Sequence, residues 1–159
     1  MGLGKDKTCE VLKTLIQEFD DIQVIAISGK NEAMNQEFNK IVNDTNSSTR
    51  IKVLEYTKKV PELMSISNIV ITKPGGLTTT ESLASGLPMI IINPIPGQEE
   101  QNAEFLERKG VGVWLKKDDN IQRVLKSVIS SDEKLREMKN NTQGLANKLS
   151  TQDICKNIL

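Results

Sequence analysis

The sequence alternates short apolar runs with longer segments whose apolar residues recur at helical spacing, and this alternation constrains the fold most strongly. Runs such as QVIAIS (23–28), IVIT (69–72) and MIII (89–92) are typical of buried strands, and a helical pattern follows each of them. Parallel strands need a crossover connection, usually a helix, between them. The sequence therefore predicts an α/β fold with a Rossmann-like, doubly wound parallel sheet.

The apolar pattern also predicts the positions of the individual elements. Strands are predicted over residues 23–28, 51–54, 69–72, 89–92 and 111–115. Helices are predicted over residues 5–19, 31–44, 61–66, 77–85, 99–109, 120–130, 132–147 and 151–159. A chain of 159 residues fits one domain. The first predicted helix comes directly after glycines at the start of the chain. In a doubly wound fold, a glycine-rich turn of this kind usually follows the first strand, which is central in the sheet, so we expect that strand to be lacking.

Charge and composition exclude several classes of function. Lys plus Arg and Asp plus Glu each total 21, and aromatic residues are 3%. This balance argues against nucleic acid as a partner, which requires clustered positive charge and, for single strands, stacking rings. Histidine is absent, which excludes a Ser-His-Asp triad and an imidazole zinc site within the chain. Cys9 and Cys155 form no CxxC unit and are interpreted as free thiols, and no metal site is predicted.

The segment TKPGGLTTTE (72–81) is the first candidate for ligand binding. Gly75 and Gly76 allow a sharp turn after a buried strand, and the amides that start the next helix can then bind an anion. The hydroxyls of the first turn add possible donors, and Glu81 could accept two hydrogen bonds from a vicinal ribose diol. The alternative is a capped helix after a tight turn, in which Glu81 only complements the helix dipole. The two hydroxyl residues are Thr78 and Thr79.

The segment NPIPGQEEQN (93–102) is the second candidate and also lies between a strand and a helix. Two prolines stiffen it, and Gly97 permits close approach of a ligand. Its amide and carboxylate groups fit the hydroxyls of a sugar, although a polar helix start is the alternative. Ligands of open α/β sheets bind at the carboxyl ends of strands, so both segments predict one site. The polar side chains concerned are Gln98, Glu99 and Asn102.

Two further segments follow predicted strands and could line the same crevice. Lys30 could face a phosphate or remain solvated. Tyr56 and Thr57 could border a flat base, or pack under their loop. Trp114, at the end of a strand, is interpreted as a core or interface residue.

Residues 71–112 resemble the C-terminal half of processive diacylglycerol glycosyltransferases and plant-type monogalactosyldiacylglycerol synthases. The resemblance rests on the pairing of KPGG-x-T-x-x-E (73–81) with P-x-PGQE-x-x-N (94–102). A more distant likeness is to the peptidoglycan lipid-linked N-acetylglucosaminyltransferase. The resemblance implies a GT-B architecture of two Rossmann-like domains. Residues 1–159 would then be a single nucleotide-sugar-binding domain, a fragment of the two-domain enzyme.

By position, the resemblance implies a role for individual residues in binding a UDP-sugar. Glu81 would hold the ribose hydroxyls, Leu77 and Thr78 would meet the diphosphate, and Gln98 and Glu99 would meet the hexose. The remaining donor-binding residues would be Gly2 near the phosphates, Tyr56 and Thr57 near the uracil, Asn102 supporting its loop, and Lys73, Gly75, Gly76 and Gly97.

The resemblance also implies the reaction and the partners. The parent enzyme would move glucose or galactose from UDP-glucose or UDP-galactose to diacylglycerol. It would need no metal or other cofactor, because helix amides and basic residues take the charge of the leaving UDP. The acceptor and the catalytic base would belong to an N-terminal domain that this sequence lacks. We therefore assign no catalytic residue and expect the chain by itself to be inactive.

The resemblance places the full-length enzyme in the cytoplasm, peripherally at the inner face of the plasma membrane. The sheet edge left by the lacking strand could support a homodimer. Two alternatives remain at this point. One is the donor domain of a related GT-B transferase with another lipid-linked acceptor, and the other is a nucleotide-binding module without catalytic role.

Overall fold

The computed structural model describes residues 7–146, which contain five short strands and seven helices. The described chain falls into two compact units, one ending at Val60 and the other beginning at Pro61. Each unit has its own cluster of buried apolar side chains.

The first unit is a parallel strand pair with two helices. Its elements in chain order are α1 (Lys7–Glu18), β1 (Val24–Ile27), α2 (Glu32–Asp44) and β2 (Ile51–Leu54). Val24 lies opposite Ile51 in the parallel register. The apolar faces of both helices pack with this pair into one core, whose buried members are Leu12, Ile16, Ala26, Phe38, Ile41, Val42 and Ile51.

Side chains satisfy the helix ends of the first unit. The Asn31 Oδ1 accepts a hydrogen bond from the Met34 amide at 3.0 Å, which caps the start of α2. Arg50 donates to the Ile16 carbonyl oxygen at 3.3 Å and also to that of Phe19, at the end of α1. A cation at this position satisfies carbonyls that a helix leaves unpaired and complements the helix dipole.

The second unit is a three-stranded parallel sheet covered by helices. Its elements are α3 (Val60–Ser65, which begins at the boundary), β3 (Val70–Thr72), α4 (Gly76–Ala84), β4 (Met89–Ile91), α5 (Gln98–Arg108), β5 (Gly112–Trp114), α6 (Ile121–Ile129) and α7 (Asp132–Ala146). The strand β4 lies between β3 and β5. All three of its residues are fully buried, as expected for a central parallel strand with both faces covered.

Gly112 marks a close contact between a helix and the sheet of the second unit. A Cβ at this residue would lie 2.9 Å from the Ile91 Cδ1 and 3.1 Å from the Leu106 Cβ. Real Cβ atoms rarely come this close to a carbon, so α5 packs against the backbone of β5 at a distance that only glycine allows.

The predicted α/β fold with parallel strands is confirmed. Each strand and helix predicted within residues 7–146 is present, with ends that differ by at most two residues. The predicted helix at residues 151–159 lies outside the described residues, as do Gly2 and Cys155. Cys9 forms no disulfide bond within the described residues. None of the helices in the described range is long and apolar enough to cross a bilayer.

Candidate functional site

The two segments singled out in the sequence lie at one edge of the sheet of the second unit. They follow β3 and β4, which are parallel neighbours with Thr72 opposite Ile91. Parallel neighbours end at the same edge, so the loop at residues 73–75 lies beside the loop at residues 92–97. This is the edge at which open α/β sheets bind their ligands.

Side chains of α5 connect the two loops. The Asn102 Nδ2 donates to the carbonyl oxygen of Pro74 at 2.9 Å. The Glu99 Oε1 lies 3.7 Å from the position that a Cβ on Gly75 would occupy. The first two turns of α5 therefore contact the loop that precedes α4, and the two segments form one cluster.

The start of α4 presents backbone amides. Gly75 is the N-cap residue, has an extended conformation, and supplies no capping side chain. The first amides of a helix have no partner within the helix, so an uncapped N-terminus can donate them to an anion. Leu77, in the first turn, is 84% exposed, which shows that this end of the helix is accessible.

Three of the predicted donor-binding residues share one face of α4. Leu77 and Thr78 precede Glu81 by four and three positions, and residues at these spacings are neighbours on a helix surface. Glu81 is exposed, and its carboxylate makes no hydrogen bond or ion pair with any residue in the described part of the chain. The face therefore combines an accessible helix start with a carboxylate that is able to accept hydrogen bonds.

Thr79 differs from its neighbour Thr78, although the sequence grouped both as possible donors. Its Oγ1 is buried and has no hydrogen-bond partner within residues 7–146. The hydroxyl of Thr79 thus points into the protein, and the expectation that it adds a donor for a ligand is wrong for this conformation.

Replacing Thr79 by valine should stabilise the protein by about 1 kcal/mol, because it removes a buried hydroxyl whose desolvation nothing offsets. Thr142 provides the matched control: it is also buried in a helix, but its Oγ1 donates to the Met138 carbonyl oxygen at 2.8 Å. Thr142→Val should destabilise the protein by about 1 kcal/mol, since it removes a hydrogen bond. Urea denaturation measures both, and a loss of stability in Thr79→Val would show that its hydroxyl has a partner in solution.

The loop at residues 93–97 has a defined conformation. Gly97 has φ +102° and ψ −117°, a combination that residues with a Cβ rarely adopt. The Glu99 Oε2 accepts a hydrogen bond from the Ile95 amide at 2.8 Å. The Glu100 Oε2 accepts one from the Gly97 amide at 3.3 Å. Gln98 is exposed at the start of α5, beside this loop.

A separate cleft lies in the first unit, at the carboxyl ends of β1 and β2. Its volume is about 470 Å³, within the range of small-molecule sites. Tyr56 lines it and is 60% exposed, with the Lys30 Nζ 5.5 Å from the centre of the ring. Thr57 is half-buried, and its Oγ1 accepts a hydrogen bond from the Lys59 amide at 3.1 Å. The cleft thus combines one aromatic ring with polar and charged side chains of both signs, Lys30 against Glu32 and Glu55.

The predicted site residues divide between these places. Tyr56 and Thr57 lie in the first unit, and Gly2 lies outside the described residues. The cluster in the second unit contains Lys73, Gly75, Gly76, Leu77, Thr78, Glu81, Gly97, Gln98, Glu99 and Asn102. The role of each in ligand binding stays a prediction.

Sequence reasoning missed some residues of both places. In the first-unit cleft these are Asn31, Glu32, Asn35, Gln36 and Glu55. Asn35 follows the N-cap residue Asn31 by four positions, a spacing that places both on one helix face and could have indicated it. In the second unit, the hydrogen bonds from Ile95 and Gly97 to glutamates of α5 were not foreseen. No cluster of acidic, cysteine or histidine side chains within residues 7–146 is arranged to hold a metal ion.

Comparison with known proteins places the chain in a family. Residues 6–158 match the glycosyltransferase family 28 C-terminal domain. The chain belongs to this family. The resemblance seen in the sequence is therefore confirmed, and the match covers almost the full length of the chain.

Two similar proteins from Bacillus carry the same functional name. The processive diacylglycerol beta-glucosyltransferase of Bacillus subtilis strain 168 is 33% identical over 150 residues, which are 94% of this chain and 38% of that protein. The protein of the same name from Bacillus cereus strain 03BB102 is 39% identical over 131 residues, 80% of this chain and 33% of that protein. The chain thus spans about a third to two-fifths of the length of these relatives.

Solved structures confirm the glycosyltransferase fold expected for family 28. MurG of Acinetobacter baumannii superposes with a TM-score of 0.72 at 20% identity, over 96% of this chain and 45% of that one. Anabaena Alr3699/HepE, solved in complex with UDP, gives a TM-score of 0.70 at 17% identity, over 99% of this chain and 46% of that one. These neighbours are GT-B glycosyltransferases, and the similarity extends over nearly all of this chain.

Proposed function

We propose that this chain is the donor-binding part of a glycosyltransferase that transfers a hexose from a UDP-sugar to diacylglycerol. One observation carries the proposal: the accessible start of α4, with Glu81 on the same face, is joined through α5 to the loop that presents Gln98. An anion site, a diol acceptor and a polar sugar-facing loop are the parts that a nucleotide-sugar requires. The names of the Bacillus relatives support diacylglycerol as acceptor and glucose as the sugar.

In the proposed site each part of the donor meets a different group. The diphosphate accepts hydrogen bonds from the first amides of α4, beside Leu77 and Thr78. Glu81 accepts hydrogen bonds from the ribose hydroxyls, and Gln98 meets the hexose. Within the first unit, the exposed ring of Tyr56 offers a flat surface on which a planar base could stack.

The chemistry proposed for the parent enzyme is displacement at the anomeric carbon. The acceptor hydroxyl gives its proton to a base and its oxygen forms the new bond to that carbon, while the bond to the diphosphate oxygen breaks. UDP leaves with the electron pair of the broken bond. The positive end of α4 stabilises this developing charge without reorganisation.

Two associations belong to the same proposal. The acceptor lipid implies that the enzyme works peripherally at the inner face of the plasma membrane. Self-association is proposed at the outer edge of β1, which pairs only with β2 among the described strands. An unpaired strand edge offers backbone amides and carbonyls with which a second strand can pair.

Calorimetric titration of this chain tests the proposed function. We expect UDP to bind more tightly than ADP, and UDP-glucose or UDP-galactose to bind more tightly than UDP-N-acetylglucosamine. Equal affinity for UDP and ADP would favour a nucleotide-binding module without a sugar donor. A preference for UDP-N-acetylglucosamine would favour a transferase with another lipid-linked acceptor. No binding of any uridine nucleotide would contradict the proposal.

A further inference from the structure

The loop at residues 93–97 depends on two glutamates of α5 for its backbone hydrogen bonds. Pro94 and Pro96 have no amide hydrogen, so between residues 94 and 97 only Ile95 and Gly97 can donate. The Ile95 amide donates to the Glu99 Oε2, and the Gly97 amide donates to Glu100. Both available donors of this stretch are thus held by side chains of the first turn of the helix that follows it.

Glu99 also lies against the loop at residues 73–75. Its Oε1 lies 3.7 Å from the place where a Cβ on Gly75 would stand, so the absence of a side chain there leaves room for the carboxylate. Glu99 is half-buried between the two loops, while the side chain of its neighbour Gln98 is exposed and makes no hydrogen bond to a residue in the described range. The protein therefore uses Glu99 for internal contacts and leaves Gln98 available to a ligand.

We infer that Glu99 is a positioning residue for hexose recognition. It fixes the loop at residues 93–97 against α5 and against the loop at residues 73–75. It thereby sets the position from which Gln98 meets the sugar. This inference rests on the proposed function, and it assigns the discrimination between UDP-hexose and UDP to a hydrogen bond within the protein. The competing possibility is a direct contact between the charged carboxylate of Glu99 and the hexose hydroxyls.

Two substitutions separate these possibilities. Glu99→Gln keeps a side-chain oxygen that can accept from the Ile95 amide but removes the charge. Glu99→Ala removes both. Positioning requires only the acceptor, so the glutamine variant should rescue the function that the alanine variant loses. A direct charged contact with the sugar would be lost in both variants.

The experiment compares the affinities of UDP and UDP-glucose for the chain by calorimetry. In Glu99→Ala, UDP-glucose should bind about tenfold more weakly, as expected when the displaced loop costs Gln98 one hydrogen bond to the sugar. UDP affinity should change by less than about twofold, since the α4 end of the cluster is untouched. Glu99→Gln should keep the preference for UDP-glucose over UDP. Glu104→Ala, an exposed glutamate on the same helix, is the charge-matched control and should resemble the wild type.

Equal losses of UDP-glucose affinity in both Glu99 variants would overturn the inference in favour of a direct contact. An unchanged preference in Glu99→Ala would also overturn it. If the wild-type chain binds UDP but gains nothing from the hexose, the assignment of hexose recognition to this loop is wrong, while the nucleotide part of the proposed function stands. If no uridine nucleotide binds, the proposed function is wrong, and the inference about hexose recognition is wrong with it.

Amide hydrogen exchange tests the hydrogen bond between the Ile95 amide and Glu99 without any ligand. The Ile95 amide, on an otherwise exposed residue, should exchange slowly in the wild type and in Glu99→Gln, and at least about tenfold faster in Glu99→Ala. Equal exchange rates in the wild type and in Glu99→Ala would show that Glu99 does not hold the loop, and this would overturn the positioning role whatever the binding data show.

Discussion

Glu81→Ala should weaken UDP binding by about 10- to 100-fold, the loss expected when a charged acceptor of hydrogen bonds is removed. Glu81 is exposed on the same face of α4 as Leu77 and Thr78, and no residue of the described chain neutralises it. Its carboxylate can accept from both ribose hydroxyls without first breaking an internal contact. Calorimetric titration of the wild type and the variant measures the change.

The ligand provides the control for this prediction. A 2′,3′-dideoxy analogue of UDP lacks the hydroxyls that Glu81 is proposed to hold, so it should bind the wild type about as weakly as UDP binds Glu81→Ala. The variant and the analogue together should lose little more than either does separately, because both remove the same contact. Additive losses would show that Glu81 acts elsewhere on the ligand, and an unchanged affinity for UDP would contradict its role altogether.

Gly112→Ala should destabilise the protein by about 1–3 kcal/mol, the usual cost of overpacking a well-filled core. The added methyl would stand 3.1 Å from the Leu106 Cβ, an atom fixed to the backbone of α5, and 2.9 Å from the Ile91 Cδ1. The isoleucine can change its rotamer, but α5 must shift to accommodate the methyl. Urea denaturation at constant pH measures the free energy of unfolding.

Gly144→Ala is the matched control for this substitution. Gly144 lies inside α7, is exposed, and has no neighbour within 4 Å of an added Cβ. Alanine there should stabilise the protein by about 0.5–1 kcal/mol through helix propensity. The two glycine-to-alanine changes therefore have opposite expected signs. A stable Gly112→Ala variant would mean that α5 moves away from the sheet at little cost.

The fold was predictable because its signals are local. The fully apolar stretch around Ile90 indicated a buried central strand, and the structure places β4 between two parallel neighbours with all its residues inaccessible. The predicted helices over residues 31–44 and 120–130 begin at Asn31 and Asn120, and in the structure the side chains of these two residues accept hydrogen bonds from the amides of Met34 and Arg123 as N-caps do. The division of the described chain into two units has no comparable local signal, because it depends on which helices pack together.

The site was predictable in position but not in the use of each side chain. Topology places the ends of β3 and β4 at one edge, and this required only the order of strands and helices. The bond between Asn102 and Pro74 joins residues far apart in sequence, and the burial of the Thr79 hydroxyl depends on a rotamer. Such features follow from packing, which a linear pattern does not contain. The internal contacts of Glu99 are of the same kind.

The division into two units gives each unit an optical reporter of its own. The sequence contains one tyrosine and one tryptophan, and Tyr56 lies in the first unit while Trp114 lies in the second. Indole emission can be excited at wavelengths where phenol does not absorb, so Trp114 follows the environment of β5 without any label. The near-ultraviolet dichroism of Tyr56 adds the environment of the first-unit cleft. A single unmodified sample can therefore show whether a ligand perturbs one unit, the other or both.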